Sequence, residues 1–170
     1  MTDYDLNSLV LVPDTDKILT ERMPLFDDFG DAGRQISIAL ERSMIEFRGI
    51  GMAANQVGLR IRAFAAIIDD RPMTLFNPVI ADISETSVKI EEGCLSFPGL
   101  GLDITRPDWC VISFQDSEGI GHTRKLDGME ARCMLHEIDH LNGVVFTSKV
   151  SRLRLEMMQK KMRKAIKKHN

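Results

Sequence analysis

Between Asp127 and Gly143 the chain carries a helical pattern with apolar residues almost all the way round, and this constrains the fold more than any other stretch. Met129, Cys133, Met134, Leu135, Ile138 and Leu141 leave little polar face for solvent, so this helix belongs in a core with other elements wrapped about it. Asp127 is placed to cap it, Glu130 to complete a capping box, and Gly143 to close it after Asn142. Within this apolar surround stand His136, Glu137 and His140, the pattern HExxH. Imidazoles four residues apart share one helical face and can hold a single metal ion, while Glu137, one step round, meets a bound water. A metal also satisfies imidazoles whose burial would otherwise be costly. The competing reading is a pair of core histidines bonded to backbone. With only 4 His in 170 residues, the pattern is rare by chance.

Composition sets the bounds. At 170 residues and 44% hydrophobic, the chain fits one compact domain over residues 1–170. Met1 to Leu11 lacks the basic start and apolar run of a secretory signal, and no stretch reaches membrane-spanning length. The expectation is a cytoplasmic protein with no membrane contact. Cys94, Cys110 and Cys133 are odd in number, which argues for reduced thiols, free to bind metal.

The secondary-structure pattern is α+β. A first helix is expected over 32–48, capped by Asp31, with Ile36, Leu40, Met44 and Phe47 inward and Gly49 as terminator. Strands are expected at 61–68, 73–76, 86–91, 109–115 and 122–126, joined locally, which predicts antiparallel or mixed sheets packed around the central HExxH helix. From 148 to 168 a basic C-terminal helix follows. Residues 148–170 hold nine Lys or Arg against the single Glu156. Its stripe of Leu155, Met158, Met162 and Ile166 should dock on the body, leaving a basic face that invites a ribosomal or RNA partner. With that stripe docked, a monomer is expected.

Two histidines need a third protein ligand, with water at the open position of a catalytic site. Cys133 shares the helix, but it lies seven residues from His140, about 10 Å of rise, and suits a pocket wall better. Phe146 stands where metzincins place a third histidine. Glu156 is a weak candidate in the basic helix. Cys94, in a turn bracketed by Gly93 and Pro98, is the strongest, because its thiolate can approach from another element.

At this point three segments, in order, resemble the motifs of the peptide deformylase family: 49–56 (GIGMAANQ), 92–96 (EGCLS) and 136–140 (HEIDH). Motif spacing, length and the two terminal helices agree, so the resemblance covers essentially the whole chain. It departs at Met52, where the family usually has Leu, and at Leu135, where Gln commonly precedes the first His. The first swap conserves volume, while the second removes a polar group beside the site.

The resemblance implies hydrolytic removal of the formyl group from N-formylmethionyl nascent peptides. Cys94, His136 and His140 would bind Fe(II), the family's usual ion, with Zn(II) accepted by the same donors. Glu137 would be the general base and acid. The Gln56 amide and Leu95 backbone N–H would meet the oxyanion, and Ile50, Gly51, Met129 and Cys133 would line the substrate site. Arg106 and Asp139 are a candidate ion pair bracing the metal helix. Two rival readings are a zinc endopeptidase sharing Glu137, and a non-catalytic ribosome-associated protein with a structural metal. The latter needs a fourth protein ligand, for which His122 is the nearest candidate.

Overall fold

The computed structural model describes residues 6–169 and, within the last helix, side chains up to 165. Three helices run over Asp31–Glu46 (α1), Gly128–Leu141 (α2) and Arg152–His169 (α3). Seven strands are Gly51–Ala53 (β1), Ala63–Ile68 (β2), Arg71–Ile83 (β3), Ser87–Glu92 (β4), Leu102–Pro107 (β5), Trp109–Gln115 (β6) and Gly121–Asp127 (β7). Five form one sheet in the order β1-β2-β3-β6-β7, and β4-β5 stand apart as a hairpin. Every pairing is antiparallel; most join strands that follow one another in the chain, whereas β3 and β6 pair across the intervening β4-β5 hairpin.

Strand β2 is buried on both faces, which explains why it reads as an unbroken apolar run, whereas β7 and the far half of β3 are largely exposed. Phe64, Ala66 and Ile68 join the cluster around α2, while Ala63, Ala65 and Ile67 belong to the cluster against α1. Alanines on both faces let the two helices approach closely. Helix α2 packs against β1, β2, β5, β6 and β7, so it is the central element its apolar pattern demanded.

The structure corrects several local expectations. Gly30 (φ 81), not Asp31, precedes α1; Asp31 is its first residue, where its charge favours the helix N-terminus. The helix is ended by Arg48 in the left-handed region (φ 59), and the Gly49 N–H donates to the Met44 carbonyl. Gly49 is small for a different reason: a Cβ there would meet the Leu95 side chain at 2.9 Å.

Strand β3 outruns the expected 73–76 because a bulge at Asn77 and Pro78 lets it continue. Asn77 (φ 50) makes good the interrupted ladder: its side chain accepts from the Phe26 N–H and donates to the Phe26 carbonyl and Gln115. Strand β5 escapes the hydrophobic pattern because its third inward residue is Arg106. Strand β1 escapes it because three residues starting at glycine read as a turn.

At α2 no capping box forms. Asp127 occupies the cap position without a side-chain hydrogen bond, and Glu130 instead accepts from the Asp69 N–H at 2.9 Å. Met129 is half exposed, so the helix is not apolar-buried all round. The C-terminal end is as expected, with Gly143 at φ 72 and its N–H donating to the His140 carbonyl. Leu155, Met158 and Met162 of α3 pack on the α2 cluster, whereas the Ile166 side chain lies outside the described residues.

Candidate metal centre

The hairpin and α2 bring the histidines and Cys94 together. Strand β4 ends at Glu92, whose side chain points inward, and the chain then turns at 93–101 before β5. That turn is fastened by Phe97 N–H donating to the Cys94 carbonyl, and it holds the Cys94 Sγ 3.2 Å from His140 Nε2. Ligand atoms of Cys94, His136 and His140 all lie within 4.8 Å of one another. One thiol and two imidazoles suit Zn(II) or Fe(II), and with no fourth protein donor among the described residues a coordination position stays open. His122 is distant from this group, pairing with Asp116 at 2.7 Å, and Glu156 is bound to Arg152 on the exposed face of α3.

Each imidazole has a different outer environment. His136 Nδ1 lies 3.0 Å from Glu92 Oε2, which directs its other nitrogen inward. His140 Nδ1 is buried without a partner among the described residues, while Asn55 holds the His140 carbonyl at 2.8 Å. Burial drives His140 down to about 3, so it stays neutral and able to ligate. Burial also opposes charge on His136, but hydrogen bonds to Cys94 and Glu92 outweigh it and raise the group to about 10. A cation among the three donors would take the place of that proton.

Glu92 was visible in the sequence only as part of a motif, and its function is a matter of tertiary contacts. Both its oxygens are doubly engaged: Oε1 by Arg106 Nε and Arg132 Nη1, Oε2 by Arg106 Nη2 and His136 Nδ1. Burial alone would raise this carboxyl, yet the bonds from His136 and Arg106 bring it down to about 2. Arg106 also reaches Asp139 at 2.7 Å, so the expected Arg106–Asp139 pair is present, and Lys149 joins it at 2.9 Å. Arg132 was missed. The available signal was a cation inside an otherwise apolar helix, which burial obliges to find a partner.

A cleft of about 550 Å³ opens over these donors, lined among others by Ile50, Gly51, Gln56, Leu95, Met129, Cys133, His136 and Glu137. Glu137 is buried, its Oε2 has no partner among the described residues, and burial pushes its carboxyl up to about 7, against the opposing pull of His136 and Arg106. Gln56 is fixed by accepting from the Ala53 N–H, which turns its amide nitrogen toward Ser96 Oγ (3.0 Å) and Cys94 Sγ (3.5 Å). Cys133 donates to the Ile50 carbonyl at 3.4 Å, and burial, aided by Glu137, raises its thiol well above the ordinary value. Ile50 and Met129, each more than half exposed, form the cleft's apolar mouth. Leu135 is buried in the hydrophobic cluster, so the site has no polar side chain at that position.

Comparison with known proteins gives a uniform picture. The family model for polypeptide deformylase matches residues 8–156. A peptide deformylase of a Synechococcus species is 42% identical over 123 residues, covering 69% of this chain and 61% of that protein. This chain thus spans about three fifths of the length of that relative. The peptide deformylase of Opitutus terrae is 35% identical over 94% of this chain and 89% of its own length. Among solved structures, a Synechococcus elongatus peptide deformylase in complex with actinonin superposes with a TM-score of 0.85 at 34% identity, covering 90% of this chain and 86% of the other. A plant peptide deformylase gives 0.87 at 29% identity over 99% of this chain and 94% of the other.

Proposed function

This chain belongs to the polypeptide deformylase family, and on that premise we propose that residues 1–170 act as one catalytic domain removing the formyl group from N-formylmethionyl nascent peptides. The observation that carries this reading is the buried Glu137 carboxyl, unpartnered at Oε2, in the same cleft as three metal-ligating side chains. Cys94, His136 and His140 would hold Fe(II), with Zn(II) accepted by the same donors; the bound ion supplies Lewis acidity that polarises a carbonyl and brings a water's pKa toward neutrality.

The protein's own groups do the rest. Glu137 accepts the water's proton as oxygen attacks the formyl carbon, then delivers it to the amine nitrogen as the C–N bond breaks, leaving formate and a free amino terminus. Negative charge that develops on the formyl oxygen is met by the Gln56 amide nitrogen and the Leu95 backbone N–H. Ile50, Met129 and Cys133, with Gly51 allowing close backbone approach, form the slot for an unbranched methionine side chain.

Protein purified without oxygen and loaded with Fe(II) should release formate from a formyl-Met tripeptide and leave the unformylated peptide intact. Cleavage of internal peptide bonds instead would establish the endopeptidase reading. No release from folded, fully metallated protein would remove the assignment.

We place the activity in the cytoplasm on a monomer; no helix among the described residues is long and apolar enough to cross a membrane. Lys160, Lys161, Arg163 and Lys164 stand exposed on α3 and are the proposed contact with ribosomal RNA, together with Lys167 and Lys168, whose side chains lie outside the described residues. Truncation after Ser151 should abolish a salt-sensitive association with ribosomes, measured by co-sedimentation at two ionic strengths. Undiminished binding would exclude α3 as the contact.

A further inference from the structure

The three metal donors belong to two bodies that share no sheet. Cys94 hangs from the β4-β5 hairpin, which pairs only with itself, whereas His136 and His140 ride on α2 beneath the five-stranded sheet. The relative position of thiol and imidazoles therefore depends on side chains bridging hairpin to helix. Arg132, on α2 one turn before His136, is 4% exposed and spends its guanidinium on that bridge. Its Nη2 donates to the Val88 carbonyl of β4 at 2.6 Å, and its Nη1 to the Ile104 carbonyl of β5 at 3.0 Å and to Glu92 Oε1 at 2.6 Å.

Arg106 makes a different bridge. Arg106 lies on β5 and binds Glu92 on neighbouring β4, so that contact stays within the hairpin, and it reaches α2 through Asp139 at the helix's other end. From α2, Arg132 reaches both strands and the carboxylate that orients His136, and its fork geometry makes these bonds simultaneously from one planar group. Arg132 shares the Glu92 carboxylate with Arg106, which also pairs with Asp139, so two carboxylates face the two buried guanidiniums beside the cleft.

We propose that Arg132 is a positioning residue for the metal centre, setting the distance between the Cys94 thiol and the two imidazoles and thereby the affinity for the ion. The proposal rests on the reading of Cys94, His136 and His140 as ligands. Outer partners of metal ligands change affinity by about 10–100-fold when removed, and Arg132 acts on both ligand-bearing elements at once.

The test compares wild type, Arg132→Met and Arg132→Lys. It measures Zn(II) affinity by chelator competition, the thiolate-to-cobalt charge-transfer band of the Co(II) form, and thermal stability without metal. The expected result for Arg132→Met is at least about a tenfold loss of Zn(II) affinity with a weakened or shifted charge-transfer band. Arg132→Lys, keeping charge but not the three-point fork, should lie in between. Wild-type affinity and an unchanged Co(II) spectrum in Arg132→Met would overturn the proposal, even if metal-free stability fell, because that pattern describes a purely structural bridge. Should Arg132→Met fail to fold, Arg132→Lys decides alone, and wild-type affinity there overturns it. Failure of the wild-type protein to bind Zn(II) at all would instead remove the ligand assignment beneath it.

Discussion

Glu137→Gln should lose about 10²–10⁴-fold in turnover while making the metal-free protein more stable at neutral pH. The two effects share one cause. Gln keeps the shape of the side chain but cannot take a proton from water, so the chemical step loses its base and acid. The carboxyl it replaces is buried with an unpartnered oxygen and is raised from 4.5 to about 7. A carboxyl raised in the folded state contributes most to stability below its unfolded value. That contribution declines as pH rises from about 4.5 to about 7, then stays flat. At 1.36 kcal/mol per unit, the ionised form costs on the order of 3 kcal/mol above pH 7.

Metal-free Glu137→Gln should therefore melt above wild type at pH 8 and match it near pH 4. A cation at the neighbouring donors favours the carboxylate, so the gain should shrink when Zn(II) is bound. Zinc stoichiometry should not change, since Glu137 is not among the three clustered donors. A variant retaining more than a tenth of wild-type turnover would show that the proton passes through another group. Equal melting curves across the pH range would show that Glu137 is not strained by burial.

Gly51→Ala should damage the site from the opposite wall. A Cβ at Gly51 would lie 2.5 Å from Cys133 Sγ and 2.6 Å from Glu137 Oε1, well inside contact distance. The cysteine is short and buried, so it yields only if α2 moves. The carboxylate can swing away, but that removes the base from the reacting atoms. Misplacement of about 1 Å costs about 10²-fold in rate, and overpacking typically costs about 1–3 kcal/mol. Kinetics on a formyl-Met tripeptide and a thermal melt would read both. Adding Cys133→Ala should recover stability but not turnover, since the clash with Glu137 persists. Wild-type activity in Gly51→Ala would mean that the strand and helix separate freely, contrary to their packing.

The metal helix and its ligands were the most legible part of the chain. His136, Glu137 and His140 are fixed relative to one another by helical periodicity alone, and Gly143 closes the helix where its sequence says it should. Cys94 was legible as a candidate because a thiol in a constrained turn between Gly93 and Pro98 can approach the helix from another element, and the structure sets it beside His140. Arg48 ending α1, Asn77 healing the β3 bulge and Glu130 reaching Asp69 were not legible. Arg48 takes the left-handed conformation where a glycine one residue on was the local expectation, and Asn77 and Glu130 take partners supplied from elsewhere in the fold.

The sequence by itself determined what could be decided by period and composition: a buried HExxH helix, strands alternating or continuous according to their burial, and a basic terminal helix with one apolar stripe. Beyond the candidate pair Arg106–Asp139, only tertiary structure decided the partners of the buried charges. Nothing in the spacing of Glu92, Arg106, Arg132 and Asp139 couples them, since they lie on two strands and a helix from separate stretches of chain. Burial made the pairing compulsory, because an ionised group taken from water must find opposite charge or hydrogen bonds. Which ion met which was fixed only when the hairpin closed over α2 and set the Glu92 carboxylate against two arginines and His136.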